Sequence, residues 1–326
     1  MFAAIHHWNP FLIEFSSGFG IRWYGLAYVM GFWLGFLLLA WLARRGYSVI
    51  TPEQVGDFVF GVALFGVLLG GRLGYFLFYD FSDLLAHPFH LLRVWEGGMS
   101  SHGGLLGVAL YCLWYSRRHR VPWCGLGDNI VVVAPIGIFF GRIANFINGE
   151  LYGRITSVPW ALKFPGELLD DPALADRATI ACMTKVDPAL NTPGAIIDAL
   201  SSPETGPQVR AILEGILHAR HPSQLYAAFL EGALLFALCF WLRTRVRLRQ
   251  GVLTGIFFIA YAVVRIFGEQ FREPDVGIAF TFGLTRGQFL STFMVLIGVG
   301  FILWGRRYGR PSPRPGVGEA AQPAKR

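Results

Sequence analysis

Seven stretches in which Leu, Phe, Val, Ala and Gly displace nearly every charge punctuate the chain: residues 21–43, 55–79, 99–115, 128–148, 223–242, 252–270 and 288–304. Most run to about 20 residues, the length of helix that crosses a hydrocarbon core of about 30 Å. Backbone exposed to lipid must satisfy its own hydrogen bonds, so each stretch is expected to be a helix. The third and the last are short for a crossing. The predicted fold class is therefore all-α, a polytopic membrane protein with about seven transmembrane helices. Helices one to four occupy 1–148, a polar head segment 149–222, helices five to seven 223–304, and a tail of disorder-type composition 305–326. The middle of the head, 166–215, is rich in Pro, Asp, Ala and Ser. Small helices and irregular backbone are expected there rather than a folded domain.

Composition supports the bilayer as solvent. The 326 residues are 54% hydrophobic and only 15% charged, where soluble domains carry about 25% charged residues. The net charge of +7 does not point to nucleic acid, because the excess sits in tracts beside the apolar stretches, at 44–45, 117–120, 243–249 and 306–310. These follow stretches one, three, five and seven. The N-terminus and the loops after two and six hold only Arg22, Arg93, Arg272 and Arg286. Cytoplasmic loops carry the basic excess, which predicts the N-terminus outside, the C-terminus in the cytoplasm and the head outside. The opening MFAAIHHWNP has neither a basic region nor a small-residue cleavage site, so the first stretch is expected to remain as an anchor. Cys112, Cys124, Cys182 and Cys239 are scattered, without metal-ligand spacing or an evident disulfide pair.

Ionisable side chains within a crossing helix cost roughly 2.5–3.5 kcal/mol each on insertion scales. Arg72, His102, Arg142, Arg265 and Glu269 are the candidates, and with this orientation all five fall in the outer half. Tyr24, Asn145 and Asn148 join the same level. Any one arginine can be read as a helix-end residue reaching for the interface, but five helices contributing to one layer weakens that reading. Arg142 and Asn145 share a helical face. Arg265 and Glu269 stand at i,i+4, where they can pair. The glycines of GGMSSHGG allow close backbone approach and an irregular entry into the third helix, so that His102 can project from a strained or uncapped start. Arg142 and Arg265, with no equal number of buried carboxylates nearby, imply an anion. A phosphate suits the planar fork of arginine, and at this depth the available phosphate is a phospholipid headgroup.

The stretch GRIANFINGELYG at 141–153 resembles the signature of the prolipoprotein diacylglyceryl transferases, with Arg142, Asn145, Asn148, Glu150 and Gly153 in place. RWYG around Tyr24, GGMSSHGG around His102, HPSQLY from His221 and RIFGEQFREPD across Arg265, Glu269 and Arg272 resemble the same family, in the same order. The external loop 166–220 is longer than is usual there. The resemblance implies transfer of the sn-1,2-diacylglyceryl group of phosphatidylglycerol to the lipobox cysteine in the signal peptide of a bacterial prolipoprotein. Glycerol 1-phosphate is released and a thioether formed, in the bacterial inner membrane, with the active site facing the periplasm. It further implies catalytic roles for His102, Arg142, Arg265 and Glu150. Substrate binding would fall to Arg142, Tyr24, Asn145, Asn148, Gly153, Glu269 and Arg272. A thiol is a poor nucleophile until deprotonated, and His102 suits the base. Arg142 and Arg265 suit the charge growing on the leaving phosphate. Arg72 and Arg272 are read as support or as interface anchors, and His221 as a helix cap. No glycine-rich phosphate loop and no clustered metal ligands are evident, so neither cofactor nor metal is expected. The alternative is a transporter or flippase for an anionic lipid. The odd number of helices, the absence of an internal repeat and an inner half nearly free of polar residues speak against it.

Overall fold

The computed structural model describes residues 3–16, 19–93, 97–273 and 286–315. All seven apolar stretches are helical: α1 Trp23–Arg44, α2 Pro52–Tyr79, α4 Ser101–His119, α5 Trp123–Asn148, α10 Ser223–Arg245, α11 Val252–Gly268 and α12 Arg286–Tyr308. Among them α1, α2, α5, α10 and α12 are long and apolar enough to cross a membrane, and α11 is a shorter apolar helix. Large apolar side chains such as Trp33, Phe60, Phe65, Leu105 and Trp114 are exposed along these helices, as expected where lipid is the solvent. α3 Phe81–Ala86 and a 3₁₀ turn, Pro88–Leu92, connect α2 to α4.

The fold is mostly helical but not purely so. Strand β2 (Phe11–Ser16) pairs antiparallel with β3 (Phe19–Arg22) ahead of α1, and β1 (Ala4–Ile5) pairs parallel with β4 (Leu162–Lys163). Residues 21 and 22, expected to open the first helix, belong to β3. α5 starts five residues before the expected position 128, and α12 runs past 304 to Tyr308. The first part of the tail is also ordered. Gln250 N donates to the Arg310 carbonyl (2.9 Å) and Ser312 N to that of Leu248 (3.1 Å). Residues 316–326 lie outside the described residues.

Two compact units are present. The first comprises Met1–Gly31, Pro135–Leu235 and Ala260–Val295; the second Phe32–Ala134, Phe236–Ile259 and Leu296–Arg326. Within the second, α2 and α4 meet on glycines. A Cβ on Gly103 would lie 2.5 Å from the carbonyl oxygen of Gly70, and one on Gly107 2.3 Å from that of Gly66. Small residues at such positions let helix backbones approach closely in lipid. The expectation of a half of the helices nearly free of polar residues, the half away from Arg142 and Arg265, does not hold. Asp128, Asn129, Arg243 and Thr254 are buried. Asp128 accepts from Gly251 N (2.9 Å), Thr254 N (2.9 Å) and Thr254 Oγ1 (2.7 Å), satisfying the free amides at the start of α11.

The head, in the first unit, holds the small helices expected, but they pack around a core of their own rather than standing in irregular backbone. Helices α6 (Glu167–Asp170), α7 (Pro172–Lys185), α8 (Pro193–Ala199) and α9 (Gly206–Glu214) enclose Leu168, Leu174, Cys182, Ile196, Val209 and Leu213. The apolar residues in this polar stretch are spaced to meet once the small helices fold back, which composition alone does not reveal. Ile5 joins this core, and the next residue, buried His6, bonds through Nε2 to the Phe146 carbonyl at 2.6 Å. Burial lowers the His6 pKa, and that of His7 falls for the same reason, aided by the Arg210 charge. Both side chains therefore take up protons less readily folded than unfolded. Stability is untouched above the ordinary imidazole value of about 6.5 and falls as pH drops through it towards the lower folded value. Acidification from neutral pH should lower the protection of the amides at residues 4–7, so that exchange there slows less than the intrinsic base-catalysed rate does; protection independent of pH would contradict this.

Candidate active site

Local backbone first fixes where the signature residues stand. α5 ends at Asn148, and Gly149 turns the chain with φ +69°, a conformation open to glycine, while Leu151 follows with φ +54°. Three motifs converge on this turn. Gln224 Nε2 donates to the Glu150 carbonyl (2.6 Å) and Ser223 Oγ to that of Leu151 (3.0 Å). Gly153 N donates to the His221 carbonyl and Arg154 N to that of Phe271, both at 2.9 Å. Gly153 also forms a β-bridge with Arg272. A Cβ at Gly153 would lie 2.4 Å from the Phe271 carbonyl oxygen and 2.7 Å from the His221 carbonyl oxygen. Both neighbours are backbone, so alanine there should destabilise the protein by about 1–3 kcal/mol. A clear drop in thermal midpoint in detergent is expected for Gly153→Ala; an unchanged midpoint would contradict this packing.

Further back along α5, at Arg142, lies a charged cluster built on α5, α10 and α11. Glu231, whose side chain is 2% exposed, sits within a π-helical stretch of α10, Ala228–Leu234. Such turns rotate the residues they carry relative to the rest of the helix. Its Oε2 accepts from Arg142 Nε (3.2 Å) and Nη2 (2.8 Å) and from the Tyr261 hydroxyl (3.3 Å). Its Oε1 accepts from Arg265 Nη1 at 3.0 Å. Glu269 Oε2 lies 3.3 Å from Arg265 Nη2, an ion pair without hydrogen-bond geometry. The two arginine side chains are 20% and 16% exposed. Among the described residues, Nη1 of Arg142 and Nε of Arg265 carry no hydrogen bond. One turn along α5, buried Asn145 donates through Nδ2 to Glu150 Oε1 (2.6 Å) and to the Tyr24 hydroxyl (3.3 Å). The site thus presents two arginines pinned by one carboxylate beside a Tyr–Asn–Glu set.

The profile of the family described as prolipoprotein diacylglyceryl transferase matches residues 10–304. The chain belongs to the prolipoprotein diacylglyceryl transferase family. Proteins named phosphatidylglycerol--prolipoprotein diacylglyceryl transferase are similar to it along nearly their whole length. That of Bdellovibrio bacteriovorus is 39% identical, covering 93% of this chain and 94% of its own. That of Bradyrhizobium diazoefficiens is 39% identical over 94% of each. That of Rhodospirillum centenum is 42% identical over 86% of this chain and 85% of its own.

The sequence-predicted site residues of this transferase-family chain fall into several groups. Tyr24, Asn145 and Glu150 meet, as do Arg142, Arg265 and Glu269. Asn148 is exposed at the end of α5, and Gly153 and Arg272 meet through backbone. His221 does not close the start of α10 with its side chain; its Nδ1 lies 3.2 Å from the Tyr226 hydroxyl. In the second unit, His102 is exposed in the first turn of α4. That turn is capped rather than bare, since Ser100 Oγ accepts from Gly103 N at 3.2 Å. Arg72 is buried and given over to backbone carbonyls: those of His90 (2.6 Å), Arg93 (2.8 Å), Gly98 (3.2 Å), Leu91 (3.4 Å) and Gly97. It is a staple for the connection between α2 and α4. Pro274 and Asp275 of the last motif lie outside the described residues.

The premise that the arginines lack matching carboxylates is corrected. Glu231 and Glu269 balance Arg142 and Arg265 charge for charge. Glu231 was legible, because a carboxylate within the apolar run AAFLEGALLF is as costly in lipid as the arginines that drew attention.

Proposed function

We propose that the chain transfers the diacylglyceryl group of phosphatidylglycerol to the lipobox cysteine of a prolipoprotein, forming a thioether and releasing glycerol 1-phosphate. The observation that carries this reading is the pair of guanidinium groups fixed by Glu231 with N–H edges that no described residue takes up. A carboxylate that neutralises the arginines also holds them still, so their remaining donors meet a phosphate ester in place. The names of the relatives, which give phosphatidylglycerol and a prolipoprotein, support it.

In the proposed reaction the cysteine sulfur attacks the glyceryl carbon that bears the phosphate ester. The carbon–sulfur bond forms as the carbon–oxygen bond breaks, and the electron pair leaves on the phosphate oxygen. Arg142 and Arg265 stabilise that developing charge, while Asn145, Glu150 and Tyr24 orient the headgroup glycerol, with Glu269, Arg272, Asn148 and Gly153 supporting them. His102 takes the thiol proton. The thiol must come from the client, because Cys112, Cys124, Cys182 and Cys239 are all buried. The reading includes seven crossings in the inner membrane, with the head segment 149–222 and the site on the periplasmic side and the tail from 305 in the cytoplasm. What supports it is the alternation of Arg tracts along the sequence.

The test is headgroup release from vesicles of phosphatidylglycerol by purified protein, with a lipobox peptide and with its Cys→Ser counterpart. Glycerol phosphate is expected with the first only; equal release with both would overturn thiol transfer. For His102→Asn, an acid limb lost from the pH–rate profile is expected, and a profile unchanged in shape would remove His102 as the base.

A further inference from the structure

Three potential metal ligands gather outside the site, on the connection between α2 and α4, where no clustered ligands were expected. Asp83 lies in α3, His87 at its C-terminal end and His90 in the 3₁₀ turn that follows. Asp83 Oδ1 stands 3.0 Å from His87 Nδ1, and its Oδ2 2.8 Å from His90 Nδ1. The two imidazoles stack, with centroids 4.8 Å apart and planes 17° apart. One donor atom from each of the three residues lies within 4.8 Å of the others. Two rings turned towards one carboxylate by the same nitrogen is more than a surface histidine needs for solvation.

We infer that Asp83, His87 and His90 form a binding site for a first-row divalent cation of the zinc class. The two nitrogens and one oxygen match that class, and calcium and magnesium prefer oxygen alone. Tetrahedral zinc with ligands at about 2.0–2.2 Å needs donors about 3.3 Å apart. The carboxylate–imidazole pairs, which use different Asp83 oxygens, stand 3.0 and 2.8 Å apart, and the three donor atoms, all within 4.8 Å of one another, reach that spacing by side-chain rotation. His87 is 61% exposed, leaving room for water at the fourth position.

The mount is already rigid. Arg72, 4% exposed, holds the carbonyls of His90, Leu91 and Arg93, and the same guanidinium holds Gly97 and Gly98. The backbone carrying His90 is therefore fixed before any cation arrives, which lowers the ordering cost of binding. A bound cation adds a second clip, joining α3 to the turn that Arg72 staples on the way to α4 and His102. The site stands apart from the proposed transfer and does not depend on it.

The experiment uses full-length protein in detergent, stripped with chelator and titrated calorimetrically with Zn²⁺. One equivalent should bind, undiminished by excess Ca²⁺ or Mg²⁺ and weakened as pH falls and protons compete for the imidazoles. His87→Ala and His90→Ala should each weaken binding on the order of 10-fold or more. Both leave the staple intact, because the hydrogen bonds of Arg72 to described residues all go to backbone carbonyls and its ring contact is with Phe76. In the unaltered chain, zinc should slow amide exchange at residues 83–93. No saturable binding, equal binding by the His87→Ala/His90→Ala double variant, or zinc without effect on exchange there would overturn the inference.

Discussion

Arg142→Ala is expected to lose turnover of phosphatidylglycerol by roughly 10²–10³-fold, the usual effect of deleting one donor to a developing oxyanion. The loss should fall mainly on kcat, since a clamp on the leaving phosphate acts most strongly as the carbon–oxygen bond breaks. Two effects combine. The headgroup loses the Nη1 edge, which no described residue bonds, and Glu231 loses the bonds from Nε and Nη2 that hold its Oε2. Arg142→Lys restores the charge but not the fork, so it should recover only part of the rate. Near-normal activity of Arg142→Ala, measured as glycerol phosphate released per enzyme, would refute the anion site.

Removing the carboxylate should damage the fold as well as the rate. Glu231→Ala leaves Arg142 without its partner and Arg265 with only the longer contact to Glu269. Breaking a buried ion pair by deleting one member costs about 3–5 kcal/mol, because the remaining charge stays desolvated. The thermal midpoint in detergent should drop sharply. Glu231→Gln keeps the shape and one acceptor oxygen but turns an N–H towards the guanidiniums, so it should fold better than the alanine variant and still turn over poorly. A Glu231→Ala midpoint equal to wild type would show that the cluster is not held by this residue.

Helix positions were readable because lipid imposes a simple rule: long apolar runs, no charge without a reason. That rule placed all seven helices to within a few residues and singled out Arg142, Arg265 and Glu269. It misled where a side chain's partner is far along the chain. Glu231 lies 89 residues from Arg142 and 34 from Arg265, and nothing local shows that it sits between them. Arg72 looked like a member of the polar layer, yet its partners are carbonyls, which carry no residue signature. The head's core was hidden for a related reason: Leu168, Cys182, Ile196 and Leu213 meet only after four short helices fold, and no one of those helices has a long apolar face. Gly153 was read from the signature as a binding residue, and its packing shows a stricter cause, the approach of two backbones that leaves no space for a Cβ.

The transfer itself is tested most directly by a mass balance. Purified protein, phosphatidylglycerol vesicles and a lipobox peptide should yield glycerol phosphate and a peptide heavier by one diacylglyceryl group in equal amounts. Headgroup release without the peptide adduct, or no release at all, would contradict it.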